Sequence, residues 1–185
     1  MYSSIKTIRD QSMRQFETER LLLRQALPTD LEEFHKIFSN ADAMTYWSRP
    51  PHTTLAESQA WLASMMADPS ALDFAIILKS NTTQQGRLIG KIGVYAVPEI
   101  GIILHPDVWK QGLASEAMQS FLQIYWTLKP REVYLEADVD PRNTASLNLF
   151  RKFGFIDVGT GKGTYTTHLG LCDSVYLRLD RPNGF

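Results

Sequence analysis

The chain lacks three features, and each absence restricts what it can be: cysteine pairs, long apolar runs and an excess of charge. Cys172 is the only cysteine among 185 residues, which rules out an internal disulfide and is typical of a reducing compartment. No apolar run approaches the ~20 residues that span a bilayer. The formal net charge of −1 offers no electrostatic attraction to nucleic acid or to an anionic membrane. We therefore expect a cytoplasmic protein that binds neither nucleic acid nor a membrane.

What is present is the composition of an ordinary globular domain. Hydrophobic residues make up 44% and charged residues 21% of the chain, and the length fits one domain. We predict a single domain over residues 16–185. Residues 1–15 form a lead without an apolar centre, so this lead does not resemble a secretory signal. It is either flexible or a helix packed on the surface.

Hydrophobic periodicity predicts an α+β fold, with a mixed and mainly antiparallel sheet that has helices on both faces. Two helices are predicted to begin at capping boxes, formed by Thr29 with Glu32 and by Thr54 with Glu57. Two more helices are predicted, one after residue 112 and one that ends near Gly154, where a left-handed residue is favoured. Strands are predicted from apolar runs and alternation, at residues 20–24, 73–79, 88–97, 99–104, 132–139, 155–158 and 173–179.

One pair of these strands defines the expected ligand crevice. Strands 88–97 and 99–104 are joined through Pro98 alone, a connection so short that the two form an antiparallel hairpin. A helix separates strand 99–104 from strand 132–139, which favours a parallel crossover. We expect a ligand in the crevice beyond the carboxyl ends of this parallel pair.

The turn at residues 109–114 (WKQGLA) lies between strand 99–104 and the following helix. The start of a helix presents free backbone N–H groups, which bind phosphate readily. Gly112 and Ala114 are small enough for an anion to approach the backbone closely. The turn therefore predicts a phosphate site, although taken alone the same pattern also fits an ordinary strand-to-helix turn.

Four blocks of sequence, in this order, resemble the GNAT superfamily of acetyl-CoA-dependent N-acetyltransferases, and within it the RimJ/RimL-like branch. The blocks are residues 19–24 (ERLLLR), 99–106 (EIGIILHP), 109–117 (WKQGLASEA) and 143–155 (NTASLNLFRKFGF). They belong to a match that spans roughly residues 16–181. The resemblance implies a V-shaped sheet of seven strands, mostly antiparallel, that splays between its fourth and fifth strands and holds acetyl-CoA in the opening.

The resemblance also implies how acetyl-CoA is bound. Backbone N–H groups of the turn would hold the pyrophosphate, with the Ser115 hydroxyl and the Lys110 charge assisting. Amides on the strand before the turn would stabilise the oxyanion that forms in acyl transfer. Asn143 would bond the pantetheine arm, although asparagine there also suits a helix cap. The complete cofactor-binding set is Ile102, Leu104, Lys110, Gln111, Gly112, Leu113, Ala114, Ser115, Asn143, Ser146 and Phe150.

Phe150 occupies a position where several members of the superfamily have a tyrosine that protonates the leaving thiolate. Phenylalanine has no hydroxyl, so that role must fall to another group. In the branch that the chain resembles, the Asn and Ser of an Asn-x-x-Ser pattern lie against the pantetheine arm, and the resemblance therefore implies that Ser146 is the catalytic hydroxyl near the sulfur. The alternative for Ser146 is an ordinary residue in the first turn of a helix.

An amine acceptor must lose a proton before it attacks the thioester. Glu99 and His105, at the two ends of strand 99–104, are the candidate bases. Each residue also has a purely structural interpretation. Glu99 could serve simply to anchor the hairpin, and His105 could serve simply as a hydrogen-bonding residue in a turn. Glu136 and Asp138 alternate onto one face of the next strand, where they either bind a cationic substrate or are merely solvated.

The acceptor pocket is expected at the aromatic loop of residues 44–52 (MTYWSRPPH), where the family builds that pocket. We predict Trp47, Arg49 and Glu136 as substrate-binding residues. Apolar walls with a few polar groups are typical of such pockets, but the loop could also simply place Trp47 in the core.

These features predict an enzyme that transfers acetyl from acetyl-CoA directly to a primary amine, either a protein N-terminus or a small molecule. We predict no metal site and no covalent intermediate on Cys172, because no base is assigned to that thiol. The protein is expected to be a monomer or a homodimer. The alternative is a non-catalytic acyl-CoA sensor or scaffold on the same fold.

Overall fold

The computed structural model describes residues 15–68, 70–80 and 86–184. The lead predicted over residues 1–15 lies outside the described residues except for Gln15. The helices of the described part are α1 (Leu31–Phe38), α2 (Leu55–Met66), α3 (Leu113–Leu128) and α4 (Thr144–Lys152). Its strands are β1 (Gln15–Glu17), β2 (Leu21–Arg24), β3 (Asp73–Leu78), β4 (Arg87–Ala96), β5 (Glu99–Leu104), β6 (Tyr134–Val139), β7 (Ile156–Thr167) and β8 (Gly170–Asp180).

All of these strands form one sheet, in the order β1-β2-β3-β4-β5-β6-β8-β7. Neighbouring strands are antiparallel except β5 and β6, which are parallel and are paired only at Glu99 and Glu136. Past that pair the two strands diverge, so the expected splay is present and the predicted fold is confirmed. The sheet has one strand more than the seven predicted, because Gln15–Glu17 pairs with β2.

Two hydrophobic clusters cover the two faces of the sheet. Ile100 and Leu104 of β5 join the cluster that contains the buried face of α3, whereas Ile103 joins the cluster beneath α1 and α2. Because β5 is buried on both faces, its sequence reads as a continuous apolar run rather than an alternating one. Among the described residues, no helix is long and apolar enough to cross a membrane.

The capping box predicted at Thr29 and Glu32 is wrong. Pro28–Asp30 forms a short 3-10 helix before α1, and the Asp30 carboxylate accepts the Leu27 N–H at 2.8 Å. Arg24 holds both oxygens of that carboxylate at 2.7 Å. The Asp30 carboxylate, paired with Arg24, therefore fixes Leu27 ahead of the 3-10 helix, and the Asp30 side chain does not cap the start of α1.

The capping box predicted at Thr54 and Glu57 is confirmed. The Thr54 hydroxyl accepts the Glu57 N–H at 3.3 Å, and the Glu57 carboxylate accepts the Thr54 N–H at 2.9 Å. No cation in the described part of the chain competes for Glu57, so the local pair forms as the sequence pattern predicts.

The last two strands extend beyond the predicted ranges 155–158 and 173–179. The stretch rich in glycine and threonine forms most of β7 and pairs with β8, as at Tyr165 and Cys172. Glycine weakens a strand locally, so this hairpin depends on its pairing. A Cβ at Gly161 would clash with Thr164 Cγ2 and lie 2.9 Å from the Tyr176 hydroxyl oxygen, so these side chains would have to shift to admit one.

Candidate active site

The gap between β5 and β6 exposes backbone amides of β5. The His105 N–H donates to the Ile89 carbonyl at 2.8 Å, on the β4 side. Because peptide groups alternate in direction along a strand, the amides of Ile102 and Leu104 point the other way, into the gap. In the described part of the chain, β6 pairs with β5 only at Glu99, so it supplies no acceptor for these two amides. They fit the predicted role of stabilising an oxyanion.

The turn that follows β5 has an unusual backbone. Lys110 has a φ of 59° and Gly112 a φ of 78°, and a positive φ is uncommon for a residue other than glycine. The Trp109 indole N–H donates to the Leu104 carbonyl at 2.9 Å. The Gln111 side-chain amide donates to the Asp107 carbonyl at 3.0 Å. These bonds hold the turn in a defined shape at the carboxyl end of β5.

The amide N–H groups of this turn are available to an anion. Gly112 immediately precedes α3, and the first amides of a helix have no partner within it. None of the hydrogen bonds of the described residues uses the amide of Gln111, Gly112, Leu113, Ala114 or Ser115 as donor. Five successive free donors at a helix start fit a pyrophosphate, which is the chemistry that the sequence predicted here.

Two cationic side chains reach this turn from distant parts of the chain. Lys152, at the end of α4, donates from Nζ to the Ser115 hydroxyl at 3.0 Å. Arg20 donates from Nη1 to the Gln111 carbonyl at 3.0 Å. Lys110 itself is exposed. The sequence marked Lys110 but not the other two, because their contacts depend on tertiary structure.

A groove of about 390 Å³ leads away from the turn along α3. Ser115 and Lys152 lie at its start, and Leu122, Phe153 and Leu179 give it apolar walls. A groove with polar groups at one end and apolar walls suits an organic ligand whose charged part is held at the turn.

The start of α4 brings Asn143 and Ser146 close together after β6. The Asn143 side-chain oxygen accepts the Ser146 N–H at 3.1 Å, so the capping interpretation of Asn143 is confirmed. The cap does not use the amide nitrogen of that side chain, which has no acceptor among the described residues. Phe150, one helical turn further on, is only 3% exposed and packs edge-on against Phe155 with ring centres 5.0 Å apart. It is therefore mainly a core residue.

Three carboxylates gather where β5 and β6 meet. Glu99 pairs with Glu136 across the two strands, and Asp138 follows on the same face of β6. Glu99 and Asp138 are exposed by surface area, but neighbouring protein atoms partly desolvate both carboxylates. This desolvation raises the pKa of Glu99, and the charges of Asp138 and Glu136 raise it further. It also raises the pKa of Asp138, against a hydrogen bond from Ser174. A carboxylate with a raised pKa is better suited to accept a proton near neutral pH.

The aromatic loop crosses the gap on the face that carries these carboxylates. The Trp47 ring lies 3.9 Å from the position that a Cβ of Gly101 would take, and Gly101 shares a strand face with Glu99. The Tyr46 hydroxyl donates to the Arg142 carbonyl at 3.4 Å. The loop thus touches both sides of the gap. Arg49 is exposed, and nothing in the geometry joins it to the carboxylates.

The two candidate bases lie at opposite ends of the gap. At ~3.3 Å per residue, β5 separates His105 from Glu99 by about 20 Å. The His105 Nδ1 accepts the Asp107 N–H at 3.3 Å, which matches its structural interpretation as part of a turn. Glu99 lies at the closed end with the other carboxylates and the aromatic loop.

Comparisons with known proteins agree with this geometry. A family model described as "Acetyltransferase (GNAT) domain" matches residues 20–156. The chain is 27% identical over 152 residues to "Uncharacterized N-acetyltransferase p20" of Bacillus licheniformis, covering 77% of this chain and 83% of that protein.

Two solved structures show the same fold. A GNAT-family acetyltransferase from Bacillus anthracis has a TM-score of 0.75 at 25% identity, covering 90% of this chain and 98% of that one. A spermidine N-acetyltransferase from Vibrio cholerae, in complex with CoA and spermine, has a TM-score of 0.73 at 20% identity, covering 88% and 96%.

Proposed function

The chain belongs to the GNAT family of acetyltransferases. We propose that it transfers acetyl from acetyl-CoA directly to a primary amine, and that the acceptor molecule carries extra positive charge. One observation carries this proposal: the gap has free amide donors at its α3 end and three carboxylates at its β5–β6 junction. The first set suits a pyrophosphate and the second suits an ammonium group. When bound, acetyl-CoA supplies the activated acyl group. The ordered sequence blocks further support the RimJ/RimL-like branch.

The turn would bind the donor through its backbone. The amides of residues 111–115 are unpaired, and charge from Lys152 and Lys110 would strengthen their hold on a pyrophosphate. Asn143 would donate its free side-chain amide to the pantetheine arm. The amides of Ile102 and Leu104 point into the gap beyond the turn, where they would stabilise negative charge on an acyl oxygen.

Glu99 would act as the general base. Its raised pKa, caused first by desolvation and then by Asp138 and Glu136, favours taking a proton from an ammonium. Glu136 and Asp138 would attract the cationic acceptor, and Trp47 would form an apolar wall above Gly101. We assign no such role to His105, since the turn occupies its Nδ1.

Ser146 would supply the proton for the leaving thiolate. It lies in the first turn of α4, half-buried, and Asn143 binds only its backbone N–H. Among the residues that the structure describes, none binds the Ser146 hydroxyl, so it is available to a ligand. Phe150 is buried and has no hydroxyl, so it contributes packing at that position.

The same Phe150 favours a second candidate function, a sensor that binds acyl-CoA without turnover. Thiol release from acetyl-CoA across a panel of amines separates the two functions. We expect release with acceptors that carry extra positive charge, such as diamines, and much less with amines that carry a carboxylate. Tight CoA binding with no release on any amine would favour the sensor.

A further inference from the structure

We propose that Arg20 is a positioning residue for the pyrophosphate site: by binding the Gln111 carbonyl, it aims the Gly112 N–H at the anion. The inference rests on the proposed function. The block at residues 19–24 was identified only as a family resemblance, and the proposed chemistry leaves its first arginine without a role.

Among the described residues, the side-chain hydrogen bonds of Arg20 go to the turn and to the first turn of α3. Its Nη1 donates to the Gln111 carbonyl at 3.0 Å, and its Nε donates to the Glu116 carboxylate at 2.7 Å. Its Nη2 lies 3.6 Å from the position that a Cβ of residue 112 would take. The guanidinium therefore lies against the turn while remaining partly exposed to solvent, at 45% of its side-chain surface.

The consequence follows from peptide geometry. The Gln111 carbonyl and the Gly112 N–H belong to one planar trans peptide, so they point in opposite directions. A guanidinium fixed on the carbonyl therefore fixes the N–H on the far side, away from Arg20. The positive charge also polarises that peptide and makes its N–H a stronger donor.

The turn needs such a support because of its backbone. Lys110 has a positive φ although it is not a glycine, and such a sparsely populated conformation persists only where the surroundings hold it. Arg20 provides this support from the position immediately before β2, a part of the chain that has no other role in the site.

Arg20 also neutralises the negative charge of Glu116 beside the turn. Glu116, in the first turn of α3, would place a bare carboxylate close to a bound pyrophosphate. Burial alone would raise the pKa of Glu116, but hydrogen bonds from Thr18 and Arg20 lower it, so the group is held ionised. Pairing with Arg20 cancels that charge where an anion must bind.

The test measures the equilibrium affinity for CoA by calorimetry, alongside the affinity for pantetheine, which lacks the pyrophosphate. We expect Arg20→Gln to weaken CoA binding about tenfold or more, as loss of a charge-assisted hydrogen bond does. Pantetheine binding should not change. Arg20→Lys keeps the positive charge but loses the planar guanidinium, whose Nε and Nη1 bind Glu116 and Gln111 together. Its CoA affinity should therefore lie between those of Arg20→Gln and the unmodified protein.

The matched control is Arg24→Gln. Arg24 belongs to the same segment and makes a bidentate pair with Asp30, but it does not contact the turn. It should lower the thermal stability without changing CoA affinity. Unchanged CoA affinity in Arg20→Gln, or equal losses for CoA and pantetheine, would overturn the inference. Failure of the unmodified chain to bind CoA would instead refute the proposed function.

Discussion

The two ends of the gap between β5 and β6 are built in different ways. At the α3 end the groups are backbone amides of consecutive residues, 111–115, presented by one turn. At the junction end they are side chains from two strands and a loop, brought together by the pairing of Glu99 with Glu136. The first set depends mainly on local conformation and the second on tertiary structure. The two ends should therefore fail separately when they are mutated.

The largest effect is expected at the α3 end from Gly112→Glu. A Cβ at this position has ordinary space, with Arg20 Nη2 3.6 Å away, but the φ of 78° strains any side chain. The added carboxylate would also occupy the anion site, and juxtaposed like charges cost several kcal/mol. CoA affinity measured by calorimetry should fall more than about 100-fold.

Gly170 is the control for backbone strain at Gly112. It has a φ of 103° and no atom within 4 Å of a Cβ, so Gly170→Ala adds strain outside the site. It should reduce stability by ~1–2 kcal/mol and leave CoA binding intact. If Gly112→Glu bound CoA normally, the turn would not be the pyrophosphate site.

The contrast between the ends also explains how much of the site could be predicted from the sequence. The turn was recognisable because its chemistry lies in adjacent residues with a small-residue pattern. Alternation likewise placed Glu136 and Asp138 on one face. That Glu99 joins them depends on the parallel register, which no local pattern encodes.

Contacts between residues distant in sequence could not be predicted, because no local pattern encodes them either. Arg20 and Gln111 are 91 positions apart, and Lys152 and Ser115 are 37 apart. The capping box predicted at Thr29 was wrong, and in the folded chain Arg24 instead binds Asp30 in this segment. That contact depends on tertiary structure. The strand pattern and the strand-to-helix turn were recognisable because they need no such partner.

At the junction end, Glu99→Gln should lower kcat about 100-fold and leave CoA affinity unchanged, since general bases contribute at least that much. The raised pKa of Glu99 sets the sign of the pH dependence: the rate should fall as the carboxylate is protonated, at a higher pH than for an ordinary glutamate. Rates across pH for both proteins test this, and an identical acid limb in Glu99→Gln would exclude Glu99 as the base.

Ser146→Ala sharpens the comparison between the ends, because Ser146 lies on α4 and belongs to neither set. We expect kcat to fall about tenfold with little change in CoA affinity, since water can partly replace the hydroxyl as proton donor. The control is Thr144→Ala, an exposed hydroxyl in the same helical turn, which should be neutral. Equal rates for Ser146→Ala and the unmodified enzyme would remove Ser146 from the mechanism.

The smallest effect concerns the aromatic loop, which His52 anchors at its end. The Nδ1 atoms of His52 and His35 both lie 2.8 Å from the Ser58 hydroxyl. Burial lowers the pKa of His52; the charge of Glu57 opposes this, and His35 and Arg49 lower it further. The folded state therefore resists protonation of His52.

The sign of this effect follows from linkage. Below the unfolded pKa of about 6.5 the unfolded chain binds more protons, so stability is present above that pH and is lost as the pH falls toward the lower folded value. When the pH is lowered from about 7.5 to about 5.5, the thermal unfolding temperature should fall further in the unmodified protein than in His52→Gln. Glutamine can keep the bond to Ser58 without titrating.

The control is His168→Gln, at an exposed histidine, which should behave like the unmodified protein. If His52→Gln lost as much stability with acid as the unmodified protein does, the acid sensitivity would originate elsewhere. A shift that disappears in His52→Gln would place a pH-sensitive contact at the end of the aromatic loop, between His52 and Ser58.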